Sequence, residues 1–418
     1  MIVSIDWLRE FVKINETPQE LAEVLSKIGL EAEIKNNFCN TKNVVIGFVK
    51  DVKNHPNADK LKICTIDDGS KLLQVVCGAP NVSSGQKIAF AKVGAILPGG
   101  LKIKKAKIRG IESFGMICSE SELNISENHD GIMVLPKDVR LGENFILGYG
   151  KKFISLELDV TPNRPDALSH QGVSRDIACF TKRKFLPLTY KKPNCKNKKI
   201  IDIVIENKKD CSTYVGGILE GVKVGVSPQW LIERLKSVGQ KSINNIVDIS
   251  NYVLLEIGHP THIFDYDKIF GKKIKIRRAN KVEKLTTLDE KKRSLNKENL
   301  IIADEKGPIA LAGIMGGLNT SVINSTKTIF IESAYFDPVT IRKSSKISQL
   351  TTDASKRFER GTDPLICLNA FYRIIELIQK VSGGKLVTEY HKRIKYDFEV
   401  EKIILRYSKL ELIIGKKI

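Results

Sequence analysis

One nine-residue run constrains this chain more than any other. Thr328-Ile329-Phe330-Ile331-Glu332-Ser333-Ala334-Tyr335-Phe336 is mostly apolar, with a carboxylate at its centre. Such a run reads as a buried or half-buried strand. A carboxylate there is costly unless a partner or a function holds it. Two readings follow: an ion pair with an arginine such as Arg357 or Arg360, or a hydrogen-bond donor brought by a ligand.

The chain is too long for one ordinary domain, at 418 residues, and implies about two to four. Hydrophobic residues at 42% and charged residues at 28% suit a folded chain. The formal charge of +20 creates a field that attracts polyanions; solvated lysines are the alternative. Cys39, Cys64, Cys77, Cys118, Cys179, Cys195, Cys211 and Cys367 form no CxxC pair and no zinc-like spacing. They read as reduced thiols of a cytoplasmic protein. Asp6, Arg9 and Glu10 in the first amphipathic stretch argue against a secretory signal. No apolar run is long enough to span a membrane.

The pattern changes several times along the chain. Thr17-Pro18-Gln19-Glu20 is a capping box with Pro at the first helical position. Leu21, Leu25 and Ile28 then share a helical face, and Gly29 stops the helix. From Val44 to Pro136, short β-rich runs (Val44–Val49, Leu61–Ile66, Leu72–Cys77, Lys87–Ala91, Leu101–Ile108) alternate with turns such as Pro80-Asn81 and Pro98-Gly99-Gly100. That spacing predicts a small barrel. Leu156–Val160 reads as a strand that leads through a Pro-rich turn into a helix, and Lys191–Lys199 as a linker. A larger mixed region follows, whose first helix is expected to be capped by Ser227. A new strand-helix pattern begins at Ile403–Leu405 and Ser408–Ile414.

Lys92, Lys102, Lys104, Lys105, Lys107 and Arg109 lie in a stretch with no acidic residue. Alternation in Leu101-Lys102-Ile103-Lys104 puts basic side chains on one strand face. This suits phosphate contacts to a structured RNA; a solvated basic face is the competing explanation. His55-Pro56-Asn57-Ala58-Asp59-Lys60-Leu61, Cys77-Gly78-Ala79-Pro80-Asn81 and Ser113-Phe114-Gly115-Met116-Ile117-Cys118-Ser119 resemble the tRNA-binding OB-fold module. The resemblance implies that the basic face meets tRNA. His55 is expected to shape its loop rather than to act in catalysis, since no nucleophile or metal partner accompanies it.

Four further blocks stand out: Asn244–Val253, Gly258–Asp265, Leu311–Gly317 and Thr351–Gly361. Each has a structural explanation of its own, such as a tight turn at Gly316-Gly317 or a helix cap at Thr352 or Asp353. Together they resemble the editing domain of the bacterial phenylalanyl-tRNA synthetase beta subunit, and the resemblance covers the whole chain in the family's order. It implies an α+β multidomain fold. A small α/β N-terminal domain (residues 1–40 and 152–190) would carry an inserted OB-fold β-barrel (41–151). An α+β editing domain (200–397) would follow, and then the start of another domain (398–418).

The family hydrolyses mischarged tyrosyl-tRNA. By resemblance Glu332 accepts the tyrosine hydroxyl, and His262, Thr352 and Ala354 match other pocket positions. Gly316 falls where a missing Cβ leaves room for an aromatic ring. Lys241 stands where the family often has Arg, keeping the charge but losing the bidentate fork. The resemblance further implies tRNA and an alpha subunit as partners, in an assembly of two alpha and two beta chains. ATP and magnesium belong to the complete enzyme, with no cofactor within this chain. A tRNA-binding scaffold with an inactive pocket and a free-standing deacylase are the alternatives.

Overall fold

The computed structural model describes residues 1–35, 41–98, 100–126, 129–195, 199–393 and 402–417. Cys39, Gly99, the middle of the Lys191–Lys199 linker, the boundary at 397–398 and Ile418 lie outside the described residues.

The chain begins with β1 (Ile2–Ser4), α1 (Ile5–Leu8), α2 (Pro18–Lys27) and β2 (Glu31–Ile34). Thr17 and Glu20 cap α2 reciprocally, as the sequence predicts, and bury Leu21 and Leu25. The insertion carries β3 (Lys42–Asn54), β4 (Lys62–Asp67), β5 (Leu72–Cys77), β6 (Lys87–Ile96), β7 (Ala106–Ile108), β8 (Ile111–Ser113), β9 (Met116–Ile117), β10 (Val134–Leu135) and α3 (Phe145–Gly148). It forms a curled sheet of order β10-β6-β3-β4-β5, with β9 also on β6. The chain then returns through β11 (Ser155–Asp159) to α4 (His170–Thr181). β11 pairs between β1 and β2, so the two separated segments share one sheet and one core.

One expected strand differs. Of Leu101–Ile108 only Ala106–Ile108 is a strand, paired with β8 across an Arg109-Gly110 turn with φ of 49° and 95°. Two positive φ angles make this the tight turn that follows strand twist. Ile103 nevertheless inserts between Gly94 and Ala95, bonding both backbones at 2.8 Å. Lys102 and Lys104 on either side stay exposed, so inside-outside alternation survives without a ladder.

The large unit holds β12 (Asp202–Ile205), β13 (Cys211–Val222), α5 (Gln229–Lys236), α6 (Asn245–Ile257), β14 (Thr261–Asp265), β15 (Lys273–Arg278), β16 (Lys284–Thr286), β17 (Lys292–Ser294), β18 (Leu300–Ala303), β19 (Pro308–Leu311), β20 (Met315–Gly316) and β21 (Thr328–Phe336). α7 (Pro338–Ile347), α8 (Asp353–Arg360), α9 (Cys367–Ser382) and β22 (Gly383–Arg393) complete it. Two sheets, β12-β15-β18-β19-β20 and β14-β21-β13-β22, share one apolar core. The other face of the second sheet packs on α5, α6 and α9. The central strand β13 therefore has two buried faces, and its adjacent glycines each admit a ring. A Cβ on Gly216 would lie 2.5 Å from Phe330 Cζ, and one on Gly217 2.5 Å from Phe371 Cζ.

The first and last units are welded together. Trp7 stacks on His170 at 3.9 Å and on Tyr252 at 4.5 Å. His170 Nε2 accepts from Ser4 N–H at 3.1 Å, and its Nδ1 lies 2.9 Å from the Leu255 carbonyl. Arg357 donates to the Leu168 carbonyl at 2.9 Å and Arg360 to that of Val160 at 2.8 Å.

Two further expectations are corrected. Ser227 does not cap α5; Pro228 occupies that place, and the Ser227 hydroxyl goes to buried Asp248 at 2.5 Å. Ile403–Leu405 is exposed coil leading to α10 (Tyr407–Ile414), with no strand pairing among the described residues. The seven described cysteines form no disulfide. No described helix is long and apolar enough to cross a membrane.

Candidate editing and tRNA-binding sites

Glu332 lies at the centre of β21, which spans the run singled out in the sequence. Alternation sends Phe330, Ala334 and Phe336 into the core between the sheets, and Ile329, Ile331 and Tyr335 toward the helices. Glu332 shares the face of Phe330 and Ala334. It is 4% exposed. The arginine expected as a possible partner is elsewhere, since Arg357 and Arg360 both serve backbone carbonyls of the first unit. The one hydrogen bond to the Glu332 side chain from any described residue comes from a phenol: Tyr214 Oη donates to Oε2 at 2.8 Å. Burial without a cation pushes the Glu332 pKa up to about 8, and the Tyr214 bond only partly offsets this. Burial and the neighbouring carboxylate hold the Tyr214 hydroxyl well above its ordinary pKa, so it stays a donor.

His262 is the cross-strand partner of Glu332 on β14. It is half-buried and stands edge-on to Phe264 at 4.4 Å. Burial lowers its pKa to about 4, so the imidazole is neutral at pH 7. A Cβ on Gly316 would lie 2.4 Å from His262 Cε1. The ring that occupies this space in the structure is therefore the protein's own imidazole. Thr352 caps α8, accepting from Ser355 N–H at 3.0 Å, while its hydroxyl donates to the Ile314 carbonyl at 2.9 Å. That bond ties α8 to the β19–β20 turn just before Gly316. Ala354 is half-buried on the first turn of α8. Lys241 is exposed, and the neighbouring Gln240 reaches Asp353 at 3.4 Å. Asp248 holds this loop by accepting from Ser242 Oγ at 2.5 Å and Ile243 N–H at 2.8 Å.

The structure thus brings Glu332, His262 and Gly316 into direct succession and joins Thr352 to them through one carbonyl. Sequence reasoning missed Tyr214. The available signal was a tyrosine in a second apolar strand, but its partner lies 118 residues away.

The basic residues of the inserted sheet divide. Lys102, Lys104, Lys107 and Arg109 are exposed and make no ion pair with a described residue. Lys105 pairs with Glu112 at 2.7 Å on the surface. Lys92 pairs with buried Asp68 at 2.8 Å. Burial alone would raise the Asp68 pKa; the Lys92 ammonium and the Ser70 and Lys71 donors outweigh it and hold the carboxyl well below its usual range. Lys92 is thus committed to a structural ion pair. His55 takes a hydrogen bond on Nδ1 from Asn57 N–H at 3.1 Å, and its Nε2 lies 3.3 Å from the Ile108 carbonyl. It pins the loop to the β7–β8 hairpin, as the sequence suggests.

Residues 44–144 match the family described as a putative tRNA binding domain, and residues 210–383 match the B3/4 domain. The phenylalanine–tRNA ligase beta subunit of Syntrophotalea carbinolica is 42% identical over 422 residues, 100% of this chain and 52% of that protein. The chain belongs to the phenylalanine–tRNA ligase beta-subunit family. The same subunit of Protochlamydia amoebophila is 43% identical over 99% of this chain and 52% of its own length. That of Geobacillus kaustophilus is 44% identical, over 93% and 50%. The chain therefore spans about half the length of the curated relatives it matches. A solved N-terminal fragment of the phenylalanyl-tRNA synthetase beta subunit from Pyrococcus horikoshii aligns at 18% identity, over 63% of this chain and 73% of its own, with a TM-score of 0.32.

Proposed function

We propose that this chain binds tRNA through an OB-fold face and hydrolyses tyrosine wrongly esterified to tRNA(Phe), within a cytoplasmic phenylalanine–tRNA ligase of two alpha and two beta chains. Aminoacylation with ATP and phenylalanine is assigned to the assembly with the alpha subunit. ATP and magnesium serve that complete enzyme. The described residues contain no group of three His, Cys, Asp or Glu side chains suited to a metal.

The observation that carries this reading is a buried carboxylate without a cation, hydrogen-bonded to a phenol. An apolar synthetic pocket rejects an added hydroxyl poorly. A second site can invert the preference by offering an acceptor that tyrosine satisfies and phenylalanine leaves unpaired, at a cost of about 1–3 kcal/mol. Glu332 Oε1 receives no hydrogen bond from a described residue; in the ionised form, which the group reaches as pH rises toward its pKa of about 8 and which a donating phenol favours, it is that acceptor. Water adds to the ester carbonyl carbon and the bond to the ribose oxygen breaks, releasing tyrosine and the free tRNA end. The His262 ring is neutral at pH 7 and makes no hydrogen bond with a described residue. We assign to it the orienting of the water, together with backbone groups and the tRNA terminus.

Deacylation of tyrosyl- and phenylalanyl-tRNA by wild type and Glu332→Ala tests the assignment. The preference for the tyrosyl ester is expected to fall roughly tenfold to a hundredfold. An unchanged preference sinks the acceptor role, and absence of any deacylation by wild type favours the scaffold reading.

A further inference from the structure

We infer that Tyr214 is a positioning residue for the specificity acceptor: its hydroxyl holds Glu332 Oε2, leaving Oε1 as the single oxygen open to a substrate phenol. This rests on the editing reading given above. The geometry behind it is a strand pair. Tyr214 and Glu332 stand on adjacent strands, β13 and β21, in antiparallel register, with Glu332 opposite Gly216 and Tyr214 opposite Ala334. The two-residue step from Gly216 to Tyr214 keeps Tyr214 on the same face as Glu332, and Gly216 offers no side chain to stand between them. The phenol can then cross to the carboxylate at 2.8 Å.

An ionised glutamate side chain has three torsions and two equivalent acceptor oxygens, and phenols that donate to Glu332 favour that form. Fixing one oxygen removes that freedom. Two phenols on one carboxylate, one supplied by the fold and one by the substrate, satisfy both oxygens. With a phenylalanyl ester the second oxygen stays unpaired. Tyr214 itself is fully buried and has no other hydrogen-bond partner among the described residues, so its hydroxyl is committed to this one contact.

Other titratable groups surround the pair. Cys211 lies on β13, His262 faces Glu332 from β14, and Tyr390 approaches Tyr214 from β22. None of these is a cation near pH 7, and only the Tyr214 bond draws the Glu332 pKa downward. Removing the Tyr214 hydroxyl should therefore move Glu332 ionisation to still higher pH.

The test uses the assembled alpha–beta enzyme and compares kcat/KM for tyrosyl- and phenylalanyl-tRNA deacylation across pH. Taking the ratio cancels the base dependence of ester hydrolysis itself. Tyr214→Phe is expected to lower the tyrosyl preference at least about fivefold at pH 7, and to shift the midpoint of its pH dependence upward. The double variant Tyr214→Phe/Glu332→Gln is expected to match Glu332→Gln alone, because the phenol acts through the carboxylate. If Glu332→Gln loses the preference while Tyr214→Phe keeps both ratio and midpoint, the positioning role is overturned and the editing reading stands. Additive losses in the double variant also overturn it, as they would show a separate packing role. If Glu332→Gln leaves the wild-type preference intact, the editing reading itself fails.

Discussion

The inserted sheet and the Glu332 strand put charge to use in opposite ways. On the sheet, Lys102, Lys104, Lys107 and Arg109 stand in water with no ion-pair partner among the described residues. Each is an independent point of attraction whose strength depends on salt. Around Glu332 a single carboxylate is taken out of water and given a phenol instead of a cation. Its value lies in what it refuses, since an unpaired acceptor in a dry site costs more than a satisfied one gains. The sheet can lose a lysine and keep its fold. On the proposed editing role, a change beside Glu332 is expected to alter selectivity. Lys92 marks the border between the two regimes, a surface cation whose partner Asp68 is buried.

The sharpest way to break this contrast is Gly316→Ala. Its Cβ would meet the His262 ring at 2.4 Å, so the imidazole must move. Tyrosyl-tRNA deacylation is expected to drop on the order of a hundredfold while tRNA affinity stays unchanged; filter binding and single-turnover deacylation read the two separately. On the sheet, Lys92→Ala is expected to cost about 1–3 kcal/mol of stability by stranding Asp68, whereas Lys107→Ala should stay within about 0.5 kcal/mol. Salt dependence of tRNA binding should show the reverse ranking, with the slope falling for Lys107→Ala and not for Lys92→Ala. Equal slopes would put both lysines in the same class.

The smallest effect is on pH dependence. Glu332 has a folded pKa of about 8 against an ordinary value of 4.5, so the folded chain holds its proton longer and stability declines as pH rises between those values. His170, His259 and His262 run the other way: burial lowers them from 6.5 to about 3, 3 and 4. Their contribution is complete above 6.5 and is lost as pH falls toward about 3. Below pH 6.5 the three histidines outweigh the one glutamate; above it the glutamate acts alone among these four. Thermal unfolding of Glu332→Gln against wild type should show a difference that widens from pH 6.5 to 8. A constant offset would mean that Glu332 does not titrate in this range.

Much of this was readable before the structure. β5 and β21 keep the bounds their apolar runs suggested, and the Thr17 capping box forms because it involves only residues within one turn. What failed were local signals outbid by distant partners. Ser227 has cap chemistry, but Asp248 competes for its hydroxyl. Leu101–Ile108 alternates like a strand, yet Ile103 is drawn into the β6 bend and the ladder breaks. The candidate site divides in the same way. Glu332 announced itself as a charge in an apolar run, while Tyr214 did not, because a tyrosine in a strand is ordinary until its partner is known.

The contacts of Trp7, Arg357 and Arg360 with the opposite unit bear on how this molecule can be dissected. A fragment cut at the linker would keep the residues of the large unit but lose the carbonyls of Leu168 and Val160 that receive two buried or half-buried guanidinium groups, and the indole that covers Tyr252. Arg357 is 3% exposed in the intact chain; freed of its acceptor, it would pull the α8 turn that carries Thr352 and Ala354 toward solvent. Trp7, Val160 and Leu168 of the first unit therefore brace the helices of the large unit from behind, although none of them touches Glu332.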